Sequence, residues 1–72
     1  MLNQIGRELR VIRVKKGLTL KEASKITGVH YNTLSEYENY PERIKLGKLF
    51  DLLKSYQIDE DIFFNNICEY IR

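Results

Sequence analysis

The sequence is short of the residues that staple small proteins together. It has one cysteine, Cys68, so no intrachain disulfide can form. It has one histidine, His30, and no Cys/His cluster with metal-ligand spacing, which excludes a zinc-stapled fold. One proline and four glycines suit a compact helical bundle better than an all-β chain. No apolar run approaches the roughly 18 residues of a spanning helix. The N-terminus lacks a basic segment followed by a long apolar run, so no signal peptide is read there. With an unpaired cysteine, this makes a cytoplasmic location the expectation. No nucleophile–base pair, glycine-rich phosphate loop or metal cluster is recognisable by motif. Neither an enzyme nor a cofactor is therefore expected.

What remains is a chain of 72 residues that is 43% apolar and 31% charged, which argues against disorder. It reads as one domain, residues 1–72. A chain of this size buries only about 60% of its unfolded surface, so its core must be efficient or shared with a second copy. The net charge is +2, but its distribution is uneven. Residues 1–54 hold 11 Lys/Arg against 6 Asp/Glu, and residues 55–72 hold 1 against 4. A basic body with an acidic end fits a polyanion partner, and equally a soluble domain with scattered charge.

Helical periodicity runs through the chain, and no segment alternates as a strand does. Leu2, Ile5, Leu9 and Ile12 form one stripe, ending at Lys15-Lys16 with Gly17 as a left-handed cap. Thr19-Leu20-Lys21-Glu22 is a capping box that opens a second helix, with Ile26 as a core position and Thr27-Gly28 as its stop. A third helix spans about His30 to Glu38, with Leu34 and Tyr37 buried. Asn39 can take a left-handed cap, Pro41 forbids continuation, and Asn39 to Lys45 reads as a loop. Leu46, Leu49, Leu52, Leu53 and Tyr56 mark the apolar side of a fourth helix. Asp59 caps a fifth, which carries Ile62, Phe63, Phe64, Ile67, Tyr70 and Ile71. The expected class is all-α, a compact five-helix domain.

Two short helices joined by a tight glycine turn make a helix-turn-helix unit. The residues Gly17-Leu18-Thr19, Glu22-Ala23-Ser24, Gly28-Val29, Asn32-Thr33-Leu34-Ser35 and Tyr37-Glu38 carry a more specific likeness. Together they resemble the helix-turn-helix of phage repressors, Cro proteins and the xenobiotic-response-element-like regulators. Ile5-Gly6, Leu9-Arg10 and Arg13 are similar to that family's first helix. Leu46, Leu49, Leu52 and Ile58 fall in its fourth helix and following turn. The likeness covers a common core of about residues 5–64, leaving 65–72 as a C-terminal extension.

The resemblance implies a lambda-repressor-like domain whose third helix enters the major groove of double-stranded DNA. It places Tyr31, Asn32, Ser35 and Glu36 toward base edges. Asn32 can pair with adenine N6/N7, and Glu36 can accept from cytosine N4. Each is otherwise a solvated surface residue. Lys21, His30, Thr33, Asn39, Arg43 and Lys45 are the candidates for phosphate contact, with Arg10 and Lys25 as weaker ones. Two positions depart from the family pattern: Leu20 stands where glutamine is common, and Tyr40 where glycine is. The resemblance also pairs Arg13 with Glu38 as a structural ion pair; two independent surface charges are the alternative.

Phe63, Phe64, Ile67, Tyr70 and Ile71 leave two placements open for the last helix. They form a homodimer interface, giving two half-sites on a pseudo-palindromic operator, or the helix folds back over Val11 and Val14. The leading expectation for function is a DNA-binding transcriptional regulator, most simply a repressor. The alternative is an interaction module or antitoxin-type protein that binds a protein partner through its apolar C-terminal helix.

Overall fold

The computed structural model describes residues 2–71. It contains the five expected helices: α1 (Leu2–Lys15), α2 (Leu20–Thr27), α3 (Tyr31–Asn39), α4 (Leu46–Ser55) and α5 (Glu60–Ile71). No described residue lies in a strand. No helix among the described residues is long and apolar enough to cross a membrane.

Local chemistry sets most of the boundaries. In the capping box, the Glu22 N–H donates to Thr19 Oγ1 and the Thr19 N–H donates to Glu22 Oε1, both at 3.1 Å. Hydrogen bonding from the Thr19 backbone N–H, and then from its side chain, holds the Glu22 carboxyl below its ordinary pKa. Gly28 ends α2 with φ 74°, and its N–H reaches the Ser24 carbonyl at 2.9 Å. A residue with a Cβ would be strained at that φ, so glycine sets the tight corner of the motif. α4 ends in a Schellman arrangement around Gln57, which takes φ 61°. There the Ile58 N–H donates to the Leu53 carbonyl at 2.8 Å and the Gln57 N–H to the Lys54 carbonyl at 3.0 Å.

Asn39 is not a left-handed cap. It stays in α3, because its side-chain amide donates to the Ser35 carbonyl one turn back at 2.9 Å. The helix ends instead at Tyr40, with φ −131°. The expected loop contains a single 3-10 turn, Pro41–Arg43, with proline in its first turn where the missing N–H costs nothing.

The core gathers apolar residues from all five helices, among them Leu9, Ile12, Ala23, Leu34, Leu49, Leu52, Leu53, Phe63 and Ile67. Two expected core positions lie outside it: Ile26 is 52% exposed and Leu46 is 62% exposed. The apolar stripe of α4 meets the core only from Leu49 onward, so Leu46 in its first turn has nothing to pack on.

Phe63 and Ile67 are 1% and 2% exposed within the single chain, so neither lines a dimer face. They fold back as part of the core, with α5 packed against α1. Of the two α1 residues expected beneath it, Val11 is half-buried and lines the groove against α5, whereas Val14 is 58% exposed. Phe64 is half-buried against Phe63 and Phe50. The side chains of Tyr70 and Ile71 lie outside the described residues.

Gly6 owes its identity to a close approach. α1 crosses the end of α3 there, and a methyl group on Gly6 would overlap the Glu38 carbonyl oxygen and crowd Pro41 Cδ at 3.3 Å. Helix propensity alone favours alanine by about 1 kcal/mol. The clash is with backbone, which cannot swing aside, so overpacking of about 1–3 kcal/mol decides the sign. Gly6→Ala is expected to lower the urea midpoint of unfolding; a raised midpoint would contradict this packing.

Candidate nucleic-acid interface

Helix α3 divides cleanly into two faces. Leu34 is 2% exposed and Tyr37 is half-buried, and both point into the body. Tyr31, Asn32, Glu36 and Asn39 are exposed, and Thr33 and Ser35 are half-buried between the faces. The outward face therefore carries amide, carboxylate, hydroxyl and phenol groups, which can exchange hydrogen bonds with base edges.

The start of α3 is organised by His30. Its Nδ1 accepts from the Asn32 N–H at 3.2 Å, which caps the helix and leaves Nε2 to carry the ring proton of the neutral imidazole. The His30 ring stacks on Tyr31 with centroids 4.4 Å apart. Lys21, from the first turn of α2, sits 5.6 Å from the centroid of the same Tyr31 ring. Three of the expected residues thus meet at one end of the reader, with a cation and an N–H donor beside its outward face.

The other end holds a second group. Arg43 Nη1 lies 3.6 Å from Glu36 Oε1, and the Arg43 guanidinium lies 5.2 Å from the Tyr40 ring centroid. Both partners of this ion pair are more than half exposed, so it contributes little to stability. Its effect is on charge: the carboxylate on the outward face is offset by an arginine from the following turn. Asn39 completes the end by donating to Ser35. Lys45 is exposed just before α4. Tyr40, the departure from the family pattern, is what Arg43 leans on; the sequence showed an aromatic there but not its partner.

Arg13 holds this reader to the body. Its Nε donates to Glu38 Oε2 at 2.8 Å and its Nη2 to Glu38 Oε1 at 3.2 Å. Its Nη1 donates to the Leu18 carbonyl at 2.9 Å. One guanidinium therefore ties α1, the segment before α2 and the end of α3. The hydrogen bond to Glu38 raises the Arg13 pKa above its ordinary value. Nearby, burial and then the Glu38 carboxylate push the Tyr56 phenol up as well.

The sequence gives Arg7 no evident role. It lies with Arg10 on α1 and lines a cleft against the end of α3. Their i, i+3 spacing was the available signal, but nothing local says which element faces them. Among the described residues, no three His, Cys, Asp or Glu side chains are grouped to hold a metal ion.

Comparison with known proteins fits this geometry. A family model described as helix-turn-helix matches residues 9–63, from the middle of α1 into α5. Antitoxin HipB of Escherichia coli strain K12 is 29% identical over 55 residues, covering 76% of this chain and 62% of that protein. Antitoxin HipB of E. coli O6:H1 is likewise 29% identical over 55 residues, covering 76% of this chain and 58% of that protein. An uncharacterized HTH-type transcriptional regulator of Rickettsia conorii is 28% identical over 65 residues, covering 90% of this chain and 52% of that protein. The chain thus spans between about half and three fifths of the length of these curated relatives. No solved structure gives a significant match. With the family match running through both helices of the motif and the packing around them, the chain belongs to the helix-turn-helix family.

Proposed function

We propose that this protein is a sequence-specific DNA-binding transcriptional repressor that lays α3 in the major groove. The observation that carries the reading is the outward face of α3, where Tyr31, Asn32 and Glu36 stand exposed. Lys21 and His30 flank one end of that face and Arg43 the other. The relative described as an HTH-type transcriptional regulator supports it. Tyr31, Asn32, Ser35 and Glu36 are the base-reading residues of this proposal, and Lys21, His30, Thr33, Asn39, Arg43 and Lys45 bind phosphates. A nine-residue helix reads only a few base pairs. Action as a homodimer on a pseudo-palindromic operator supplies the rest, with half-sites roughly 34 Å apart.

Selection of bound duplexes from a random library tests this. The expected product is an enriched motif with two inverted half-sites about one helical turn apart. Enrichment of no motif overturns sequence-specific binding, and a single unpaired half-site overturns the homodimer. Within the selected site, Asn32→Ala is expected to remove about 1–3 kcal/mol of discrimination at one base step. Equal weakening on every duplex would instead make Asn32 a phosphate contact.

A second reading, binding of a protein partner, rests on a different surface. A groove between α1 and α5 is lined by Val11, Ile12, Ile58, Ile62 and Phe63 together with Glu8, Lys15, Lys16 and Asn66, and Ile62 is 58% exposed there. Two relatives bear the name antitoxin, which favours a toxin-like protein as that partner. Failure to retain any duplex even at low salt would favour this reading over the first.

A further inference from the structure

A polar cleft of about 210 Å³ lies between the N-terminal half of α1 and the C-terminal end of α3, lined by Arg7, Arg10, Glu38, Asn39 and Pro41. Arg7 and Arg10 are exposed and, three residues apart on a helix, share one face. The only carboxylate lining the cleft, Glu38, is already held by Arg13 at 2.8 Å. Among the described residues, neither Arg7 nor Arg10 takes part in an ion pair. The cleft therefore gathers two arginines that no carboxylate pairs among the described residues, each ending in a guanidinium fork. Such forks match the oxygens of a phosphate better than any point charge does.

The reader helix says which phosphate. From Asn32 to Asn39 is about 10 Å along the α3 axis at 1.5 Å per residue. The major groove is about 12 Å wide. A helix with its first residues on base edges therefore carries its far end to the rim of the groove, where the sugar–phosphate backbone runs. Asn39 belongs to both the reader and the cleft, so the cleft continues the outward face of α3 toward that rim.

We propose that Arg7 and Arg10 form a clamp for a backbone phosphate diester of bound duplex DNA, at the edge of the groove that α3 enters. This rests on the DNA-binding reading above. The clamp is blind to sequence: it sets register and adds affinity through counterion release, while α3 does the reading.

The test is the salt dependence of binding, measured with the full chain on a duplex it retains and on an unrelated duplex. The slope of log K against log salt is expected to shrink by about 1 for Arg7→Ala, about 1 for Arg10→Ala and about 2 for the double variant, alike on both duplexes. Between about 50 and 200 mM salt, the affinity lost by the double variant should then be roughly tenfold smaller than that lost by the parent. Arg7→Gln and Arg10→Gln keep the side-chain stem and are expected to give the same slopes, and circular dichroism melts should match the parent. Lys54→Ala removes one charge from the last turn of α4 and is expected to leave the slope alone. Unchanged slopes in the arginine variants, or an equal fall with Lys54→Ala, overturn the clamp while leaving DNA binding intact. If slopes stay put and only thermal stability falls, the arginines serve the α3 terminus and the clamp is wrong. Failure of the parent chain to retain any duplex overturns the DNA-binding reading and the clamp with it.

Discussion

Phe63→Ala is expected to cost about 3–5 kcal/mol of folding free energy. The side chain is 1% exposed and its ring meets Phe64 edge-on at 5.3 Å between centroids. Truncation removes both the transfer free energy of the ring and the contacts of its neighbours around the space left behind. For 72 residues, total stability is of order 4–11 kcal/mol at about 0.05–0.15 kcal/mol per residue. The variant should therefore lose from about a quarter to all of its stability, as measured by urea or thermal unfolding followed by circular dichroism. The experiment separates two roles for α5. A dimer-face phenylalanine would leave the fold of the single chain intact and weaken only association. A core phenylalanine destabilises the chain whatever its concentration. Unfolding within about 1 kcal/mol of the parent would sink the core assignment.

Glu38→Ala is expected to cost a similar amount, about 3–5 kcal/mol, for an electrostatic reason. Arg13 and Glu38 side chains are only 12% and 8% exposed, so each charge depends on the other to offset its lost hydration. Removing the carboxylate strands a guanidinium in the body and frees the end of α3 from α1. Arg13→Ala strands the carboxylate instead and also leaves the Leu18 carbonyl without its donor. The double replacement Arg13→Met with Glu38→Leu is expected to cost less than either single change, because it leaves no unpaired buried charge. A cost under about 1 kcal/mol for Glu38→Ala would make this a solvent-screened pair of the surface kind. Because the pair braces α3, duplex affinity should fall alongside stability in the single variants. In that respect it differs from the exposed Arg43–Glu36 pair, which is expected to shift binding with little change in melting.

Much of the outline was legible in the sequence because it rests on chemistry that acts within a few residues. Thr19 and Glu22 are three apart, so a capping box is determined before any tertiary contact exists. Gly28 and the split of α3 into a Leu34 face and an Asn32 face follow from turn geometry and from 3.6 residues per turn. Asn39 has two short-range options, a left-handed cap or a tie to Ser35 one turn back, and local chemistry does not choose between them. The apolar stripe of α5 was visible too, but a stripe says only that something must cover it. Which surface does so depends on where α1 and α4 stand once the chain has closed.

The sequence by itself determined five helices, their order, the corner between α2 and α3, and the residue types that α3 presents outward. Tertiary structure alone decided that Phe63 and Ile67 complete this chain's own core, that Gly6 must leave room for the Glu38 carbonyl, and that Arg7 and Arg10 meet the end of the reader. The physical reason is the range of the forces. Caps, turns and periodicity are settled by backbone hydrogen bonds within about five residues. Core packing and the ion pair that braces the reader join groups that sequence sets far apart, as Arg13 and Glu38 are at 25 residues. The few residue types missing at the outset sharpen the point. With no intrachain disulfide, the apolar core shared by all five helices, the docking of α5 on α1 and the part-buried ion pair between α1 and α3 hold the elements in place.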